Sequence, residues 1–429
     1  MRIQRIRASN FKSFKELDLE VGNFHVVVGP NAAGKSNFAH IFQFLKSVEE
    51  NGLKDAVAIH GGGESIRNFK ADPSQSIRIE LEMRPSPDVG IDIQTTVKGE
   101  RRNGKLQVER IRYGFAFGTS GRKNGVQITS DQIDQSIKVT GSETEGRLPG
   151  LEATPLVCAE IRIWRTENGL DYQVEPPDQE DRLGPWFPGI SFLKEPRLAR
   201  APADALLLNS PFLAIPPLFF PGLLRNTAIY SFDPHLAKNP VSFTGRARLE
   251  RDASNLALIL DQLCQDKDKR RELYNCLTAM LPFIRAVDTE KFAENSVLMT
   301  VQEDFFADRM LRAHLLSDGT VCMTALIVAL YFQEADVIIL EEPERCVHPQ
   351  LISRMIAMMK EAAQDKQILV TTHSPEVVKH AGLESLLLIT RDEAGFSNVS
   401  RPAEKEELRI FLENEMGLDD LFVQNLLAI

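Results

Sequence analysis

Apolar and polar positions change their period along the chain, and each change predicts a different kind of element. The start reads as three strands, IQRIRASNFKSF, ELDLEV and FHVVV, followed by a helix from Lys35 to about Val48. In that helix Phe38, Ile41, Phe42 and Leu45 recur at three- and four-residue spacing, which gives one buried face. Within residues 76–175 the segments SIRIELEMR, GIDIQTTV, KLQVERIRYGFAFG and LVCAEIRIWR alternate apolar with polar residues, as half-buried strands do. NG at 103–104 and 124–125, and ENG at 167–169, predict the turns between them. Residues 176–240 are proline-rich and too long for a plain connection, which predicts an interaction surface or a wrapping arm. Helices over 252–265 and 269–284 and a strand VLMTVQE come next. The last third then alternates helix 319–334, VIILEE, helix 350–364, QILVTT, a short helix and LLLIT, the order of a parallel α/β sheet. No internal repeat or sustained heptad pattern suggests a solenoid or a coiled-coil arm.

Composition narrows the class only a little. The 429 residues are 43% hydrophobic and 26% charged, enough for two or three domains of an ordinary globular protein. Five scattered cysteines without C-x-x-C spacing argue against a disulfide or zinc framework and for a reducing cytoplasm. The charged start, MRIQRIRASN, has no apolar core and is not a secretory signal. ALLLNSPFLAIPPLFFPGLL, residues 205–224, is uncharged, but four prolines would break a membrane helix, so no membrane association is expected. A net charge of −10 speaks against a protein that coats DNA generically.

Between FHVVV and the first helix lies GPNAAGKSN. Gly29-x-x-x-x-Gly34-Lys35-Ser36 in a strand-to-helix turn is the spacing of a phosphate-binding loop. Its glycines let successive N–H groups approach a β-phosphate, Lys35 adds a point charge near the β- and γ-phosphates, and Ser36 offers a hydroxyl to Mg²⁺. Gly29, Pro30, Asn31, Ala32, Ala33, Gly34, Lys35, Ser36 and Asn37 are therefore the candidate nucleotide contacts.

No N-K-x-D guanine motif is present, so a small GTPase is not expected. The matching acids lie far downstream in VIILEEPE: four apolar strand residues carry Glu341 to the sheet edge as the Mg²⁺ acid, with Glu342 next as the residue that orients water. The same pair before Pro343 could instead be a charge pair at a helix N-terminus. LSDGT, Leu316, Ser317, Asp318, Gly319 and Thr320, opens an apolar helix and can be either a plain cap or a γ-phosphate contact. TTHSP, 371–375, places His373 after the next strand.

This ordered set resembles the ATP-binding-cassette (ABC) superfamily. LSDGT stands for its LSGGQ signature, Glu341 and Glu342 for its Walker B acids, and His373 for its switch histidine. Within it the chain is most similar to AAA_21/AAA_15-type ATPases, relatives of the overcoming-lysogenization-defect proteins. NFKSFKELDLEVGNFHVVVGPNAAGKSN, SNLALILDQL, LSDGT, EEPERCVHP, QILVTTHSP and LLLITRDEAG carry that resemblance. It implies an α/β, ABC-type P-loop head, with a mixed β lobe and a parallel core. A Pro-rich and helical insertion would separate Walker A from the signature. The expected divisions are 1–175, 176–295, 296–400 and 401–429, the last an acidic amphipathic tail. It further implies ATP and Mg²⁺ as ligands, Lys35, Glu342 and His373 as hydrolytic residues, and a homodimer whose signature meets the partner's γ-phosphate.

The resemblance has gaps. Glu341 replaces the usual Asp, and Arg345, Cys346, Val347 and His348 fill the D-loop, where an Asp usually ends it. Gln75 is a weak candidate for the Q-loop, and Phe11 and Phe14 are adenine contacts or simply core. Only 56 residues follow His373, too few for the Toprim nuclease of the overcoming-lysogenization proteins. The tail anchors Leu408, Phe411, Leu412, Leu418, Leu421, Phe422 and Leu426 fit a helix packed back on the head. These features lead to the expectation of an ATP-dependent switch acting on a separately encoded nuclease or Toprim-like effector in bacterial anti-phage defence. A repair ATPase binding DNA through Arg101-Arg102, 246–251 and KDKRR at 267–271 is the alternative, and a transporter subunit fits the length poorly.

Overall fold

The computed structural model describes residues 1–85, 90–97, 100–120, 125–141, 155–167, 169–186, 205–209, 226–243, 248–306, 308–406, 417–424 and 426–428. Two compact units share the chain. The first comprises Met1–Gly22, His40–Arg225 and Asp392–Asn398, and the second Asn23–Ala39, Asn226–Arg391 and Val399–Ile429. The division falls inside the first helix, α1 (Lys35–Asn51).

The first unit is built on strands β1 (Arg2–Phe11) and β2 (Phe14–Glu20), while β3 (Phe24–Val28) belongs to the second. Then come β4 (Ile77–Arg84), β5 (Gly90–Val97), β6 (Glu100–Ser120), β7 (Gly125–Gly141), β8 (Pro155–Thr166) and β9 (Gly169–Glu175). They form one antiparallel sheet in the order β2-β1-β4-β6-β7-β8-β9, with β5 also on β6. The turn expected at Asn103-Gly104 is not one. Both residues lie inside β6, opposite Gln94 and Ile93, because cross-strand pairing to β5 and β7 overrides local turn preference. β7 joins the segments whose alternation was expected to give strands. Ile77, Ile79, Leu81 and Met83 of β4 are buried, and Phe11, Phe44, Phe117, Phe115 and Tyr113 pack ring to ring at centroid spacings of 5.8–6.2 Å. Phe11 and Phe14 are fully buried core residues. Only 205–209 of the uncharged stretch is described; Leu206 and Leu207 are buried, and Asn209 Nδ2 donates to the carbonyls of Val48 and Glu49. Among the described residues no helix is long and apolar enough to cross a membrane.

The second unit holds a parallel sheet in the order β10-β15-β16-β3-β17, with β10 Thr227–Tyr230, β15 Val337–Glu341, β16 Gln367–Thr371 and β17 Leu386–Arg391. Its strands are apolar almost end to end, as a sheet covered on both faces requires. Beside it lies a small antiparallel sheet of β11 (Val241–Ser242), β12 (Ile284–Ala293), β13 (Ser296–Glu303) and β14 (Leu311–Arg312). The helix expected to reach 284 stops at Met280, and β12 starts at Ile284. The helices used below are α2 (Pro234–Ala237), α3 (Leu256–Gln265), α4 (Lys267–Met280), α5 (Asp318–Tyr331), α6 (Pro349–Ala362) and α7 (Pro375–Ala381). The region 176–295 is not one inserted piece. It divides at 225/226 between the units, and Thr227–Tyr230 pairs with β15 as a strand of the core sheet. Of the tail anchors, Leu408, Phe411 and Leu412 lie outside the described residues. Leu421 is buried in the core of the second unit, with Leu418, Phe422 and Leu426 against it.

Candidate nucleotide-binding and hydrolysis site

The candidate residues lie in the second unit, where parallel strands end. β3 delivers the loop. Val26, Val27 and Val28 are buried, and the chain then turns sharply at Gly29, where a Cβ would stand 2.2 Å from the Ile389 carbonyl oxygen of β17. No side chain fits there, so this glycine is fixed by close approach of backbone. Ala32 and Gly34 take φ of +62° and +122° as the loop winds into α1. Pro30, Asn31, Ala32 and Ser36 are exposed along its crest, Asn37 is half-buried, and Ala33 is buried beneath. Lys35 is buried at 9% exposure, and its Nζ donates to the carbonyls of Gly29 (2.7 Å) and Pro30 (3.1 Å). Burial pulls the ammonium's pKa down, while Glu342 and Glu344 oppose that shift. Arg391, at the end of β17, donates from Nε to the Ala32 carbonyl at 2.7 Å, bringing a second cation to the loop.

β15 delivers the acids. Glu341 is opposite Thr371 of β16, and its Oε1 accepts from Arg251 Nη2 at 2.7 Å. Glu342 has φ +46°, an uncommon left-handed conformation for a residue with a side chain. Its N–H donates to the Thr371 carbonyl (2.9 Å), and its Oε1 meets His373 Nδ1 at 3.0 Å. Both side chains are substantially exposed, at 56% for His373 and 39% for Glu342, so water screens this pair. Behind them Glu344 is buried at 8% exposure and accepts from the Thr372 hydroxyl. Burial raises its pKa, and the Thr372 hydrogen bond pulls the other way.

The signature segment has a different set of neighbours. Ser317 caps α5 with its Oγ, accepting the Thr320 N–H at 3.1 Å, and Leu316 and Thr320 are buried. A Cβ on Gly319 would stand 2.9 Å from the Cys346 carbonyl, so this glycine lets α5 press against the backbone at Cys346. Asp318 is met by Lys238 Nζ at 2.5 Å, just past α2, and this hydrogen bond holds the carboxyl below the usual range. Arg345 is exposed, Val347 is buried, and His348 caps α6 by accepting the Gln350 N–H through Nδ1. Gln75 sits in an exposed turn of the first unit, its N–H on the Asp72 carbonyl.

Lys35, Glu342 and His373 are therefore brought into one neighbourhood, with Glu341 beside them on β15. Leu316–Thr320 form a second cluster tied to Cys346 and Lys238. Lys238, Glu344 and Arg391 were not singled out by the sequence, and Arg251 entered only through the basic run at 246–251. Glu344 and Arg391 stand inside the quoted segments EEPERCVHP and LLLITRDEAG, whereas Arg251 and Lys238 meet their partners from 80 to 90 residues away.

Comparison with protein families matches residues 197–379 to AAA_21, described as "AAA domain, putative AbiEii toxin, Type IV TA system". Residues 1–146 match AAA_15, described as "AAA ATPase domain". Curated proteins give no match. Similar solved structures include an SmcHead bound to the C-winged helix domain of ScpA, at 15% identity and TM-score 0.46, covering 93% of this chain and 97% of that one. The SMC head domain from Thermotoga maritima is 12% identical with TM-score 0.43, covering 94% and 99%. A Pyrococcus furiosus Smc head with an extended coiled coil is 13% identical with TM-score 0.43, covering 96% and 99%. With its ATPase-domain matches and a phosphate-binding loop, paired glutamates and a histidine-bearing loop on one parallel sheet, the chain is an ATP-binding P-loop ATPase.

Proposed function

We propose that this ATPase is a dimerisation switch: ATP joins two heads, hydrolysis parts them, and a separately encoded nuclease or Toprim-like effector reads the difference. The observation that carries the reading is that two groups of candidate residues have different hydrogen-bond partners. Lys35, Glu342 and His373 form a hydrolytic half-site, while Ser317 and Gly319 open a 14-residue helix among other neighbours. A second copy supplies the missing half. Gly29–Asn37 wrap the phosphates, Lys35 exchanges its two carbonyl partners for phosphate oxygens, and Glu342 orients the attacking water with His373 steadying its carboxylate. Ser36 and Glu341 would hold Mg²⁺, which neutralises phosphate charge. One hydroxyl and one carboxylate suit an ion that keeps waters and shares the substrate's oxygens. Among the described residues no group of three or more His, Cys, Asp or Glu suits a metal held by protein alone.

The defence role is supported by the AAA_21 description, which names a toxin of a type IV toxin–antitoxin system. Direct DNA binding is less well supported. The exposed basic run on α4 (Lys267, Lys269, Arg270, Arg271) is interleaved with Asp266, Asp268 and Glu272, and Arg270 is paired with Asp288 at 2.7 Å. Glu342→Gln should lower the hydrolysis rate by about 100-fold or more and accumulate an ATP-dependent dimer on size-exclusion chromatography. Hydrolysis at the wild-type rate would overturn the reading.

A further inference from the structure

Glu344 has no place in the hydrolytic scheme above, yet its environment is unusual. The residue is 8% exposed, one carboxylate oxygen accepts the Thr372 hydroxyl, and the other, Oε2, is buried without a hydrogen-bond partner. A half-satisfied buried carboxylate is costly, and its presence calls for a use of the geometry it enforces.

Its partner leads to the hydrolytic residues. Thr372 is fully buried; its N–H donates to the Val27 carbonyl at 3.0 Å and its Oγ1 accepts the Ser374 N–H at 2.9 Å. Since Oγ1 accepts from Ser374, its own proton is free to point at Glu344. The relay Ser374 N–H to Thr372 O–H to Glu344 therefore grips the residues on both sides of His373. The imidazole between those two grips is the one that meets Glu342 at 3.0 Å. We infer that Glu344 is a positioning residue for hydrolysis, acting through Thr372 to hold His373 on Glu342. This rests on the hydrolytic reading above. The backbone bond from Thr372 to Val27 survives loss of the carboxylate, so the loop stays attached while the direction of the imidazole is released.

Steady-state ATPase assays on the full chain, separating kcat from KM, test this together with ATP binding. Glu344→Ala and Thr372→Val should each lower kcat by about 10-fold with KM and ATP affinity within about twofold. The double variant should be no slower than the worse single one, because both cut one relay. Glu344→Gln and Thr372→Ser keep an acceptor and a hydroxyl and should run near the wild-type rate. Additive losses, a Glu344→Gln enzyme as slow as Glu344→Ala, or a Thr372→Val enzyme at full rate would overturn the assignment. Should Glu344→Ala fail to fold, the contrast of Thr372→Val with Thr372→Ser decides alone. Glu342→Gln in the same assay separates the two claims. Full activity there defeats the hydrolytic reading and this assignment together, whereas an inactive Glu342→Gln with unaffected Glu344 and Thr372 variants defeats only the assignment.

Discussion

The two main sheets of this protein solve burial in opposite ways. In the antiparallel sheet of the first unit, alternate residues face a core and the rest face outward. The outward set is spent on cross-strand pairs, such as Arg7 with Glu80, Arg110 with Glu160 and Arg162 with Asp134. In the parallel sheet of the second unit, Ile338, Ile339 and Leu340 are buried in succession, so no face of the strand is left for polar groups. Polar chemistry there can start only where a strand stops. Glu341, Thr372 and Gly29 stand at the ends of their strands or in the residues just beyond. The half-exposed sheet scatters its charges, and the covered one concentrates them.

The largest expected effect tests that contrast directly. Ile339→Asp puts a charge on a strand buried on both faces and should cost about 4 kcal/mol or more, enough to unfold the second unit. Hydrogen exchange should show β15, β16 and β3 deprotected while β6 and β7 stay protected. Equal loss in both sheets would show that the units do not fold separately.

A middle-sized effect concerns a buried carboxylate of the first unit, Asp131. It lies on the buried side, accepting from Tyr113 Oη at 3.0 Å and the Leu207 N–H at 2.7 Å, and burial pushes its pKa up to about 6. The folded chain thus binds this proton more tightly than the unfolded chain does. Its stabilising contribution is complete below about pH 4, is lost as pH rises to about 6, and amounts to about 3 kcal/mol. Asp131→Asn should remove that slope in urea titrations across pH 4–7. Parallel wild-type and variant curves would show that Asp131 titrates normally. The smallest effect belongs to the outward face: Arg78→Ala, at an exposed position of β4, should shift stability by less than about 0.5 kcal/mol.

Much of the second unit is legible in the sequence because its signals are local. A five-residue apolar run, a glycine-spaced loop and an amphipathic helix follow one another within residues 24–51, and VIILEE and QILVTT repeat the strand signal. What escapes is whatever depends on distant pairing. Thr227–Tyr230 is four residues long and is a core strand only because β15 lies beside it. Lys238 has no motif, and its ion pair with Asp318 joins positions 80 residues apart. Asn103-Gly104 shows the reverse case, a strong local turn signal overruled by partners on both sides. Glu344 sits in a quoted motif, yet nothing in the spacing announces its bond to a threonine on the next strand.

The strand order also sets a timetable for synthesis. β3 leaves the ribosome before its two neighbours in the sheet, β16 and β17, and 338 residues lie between Val28 and Gln367. At about 5–20 residues per second the nascent FHVVV strand waits on the order of 20–70 seconds for a partner. The antiparallel strands of the first unit emerge within that interval and can pair with sequence neighbours as they appear. The phosphate loop is thus synthesised long before the strands that complete its sheet. Ribosome-stalled fragments that stop short of β16 should leave β3 accessible to chaperones.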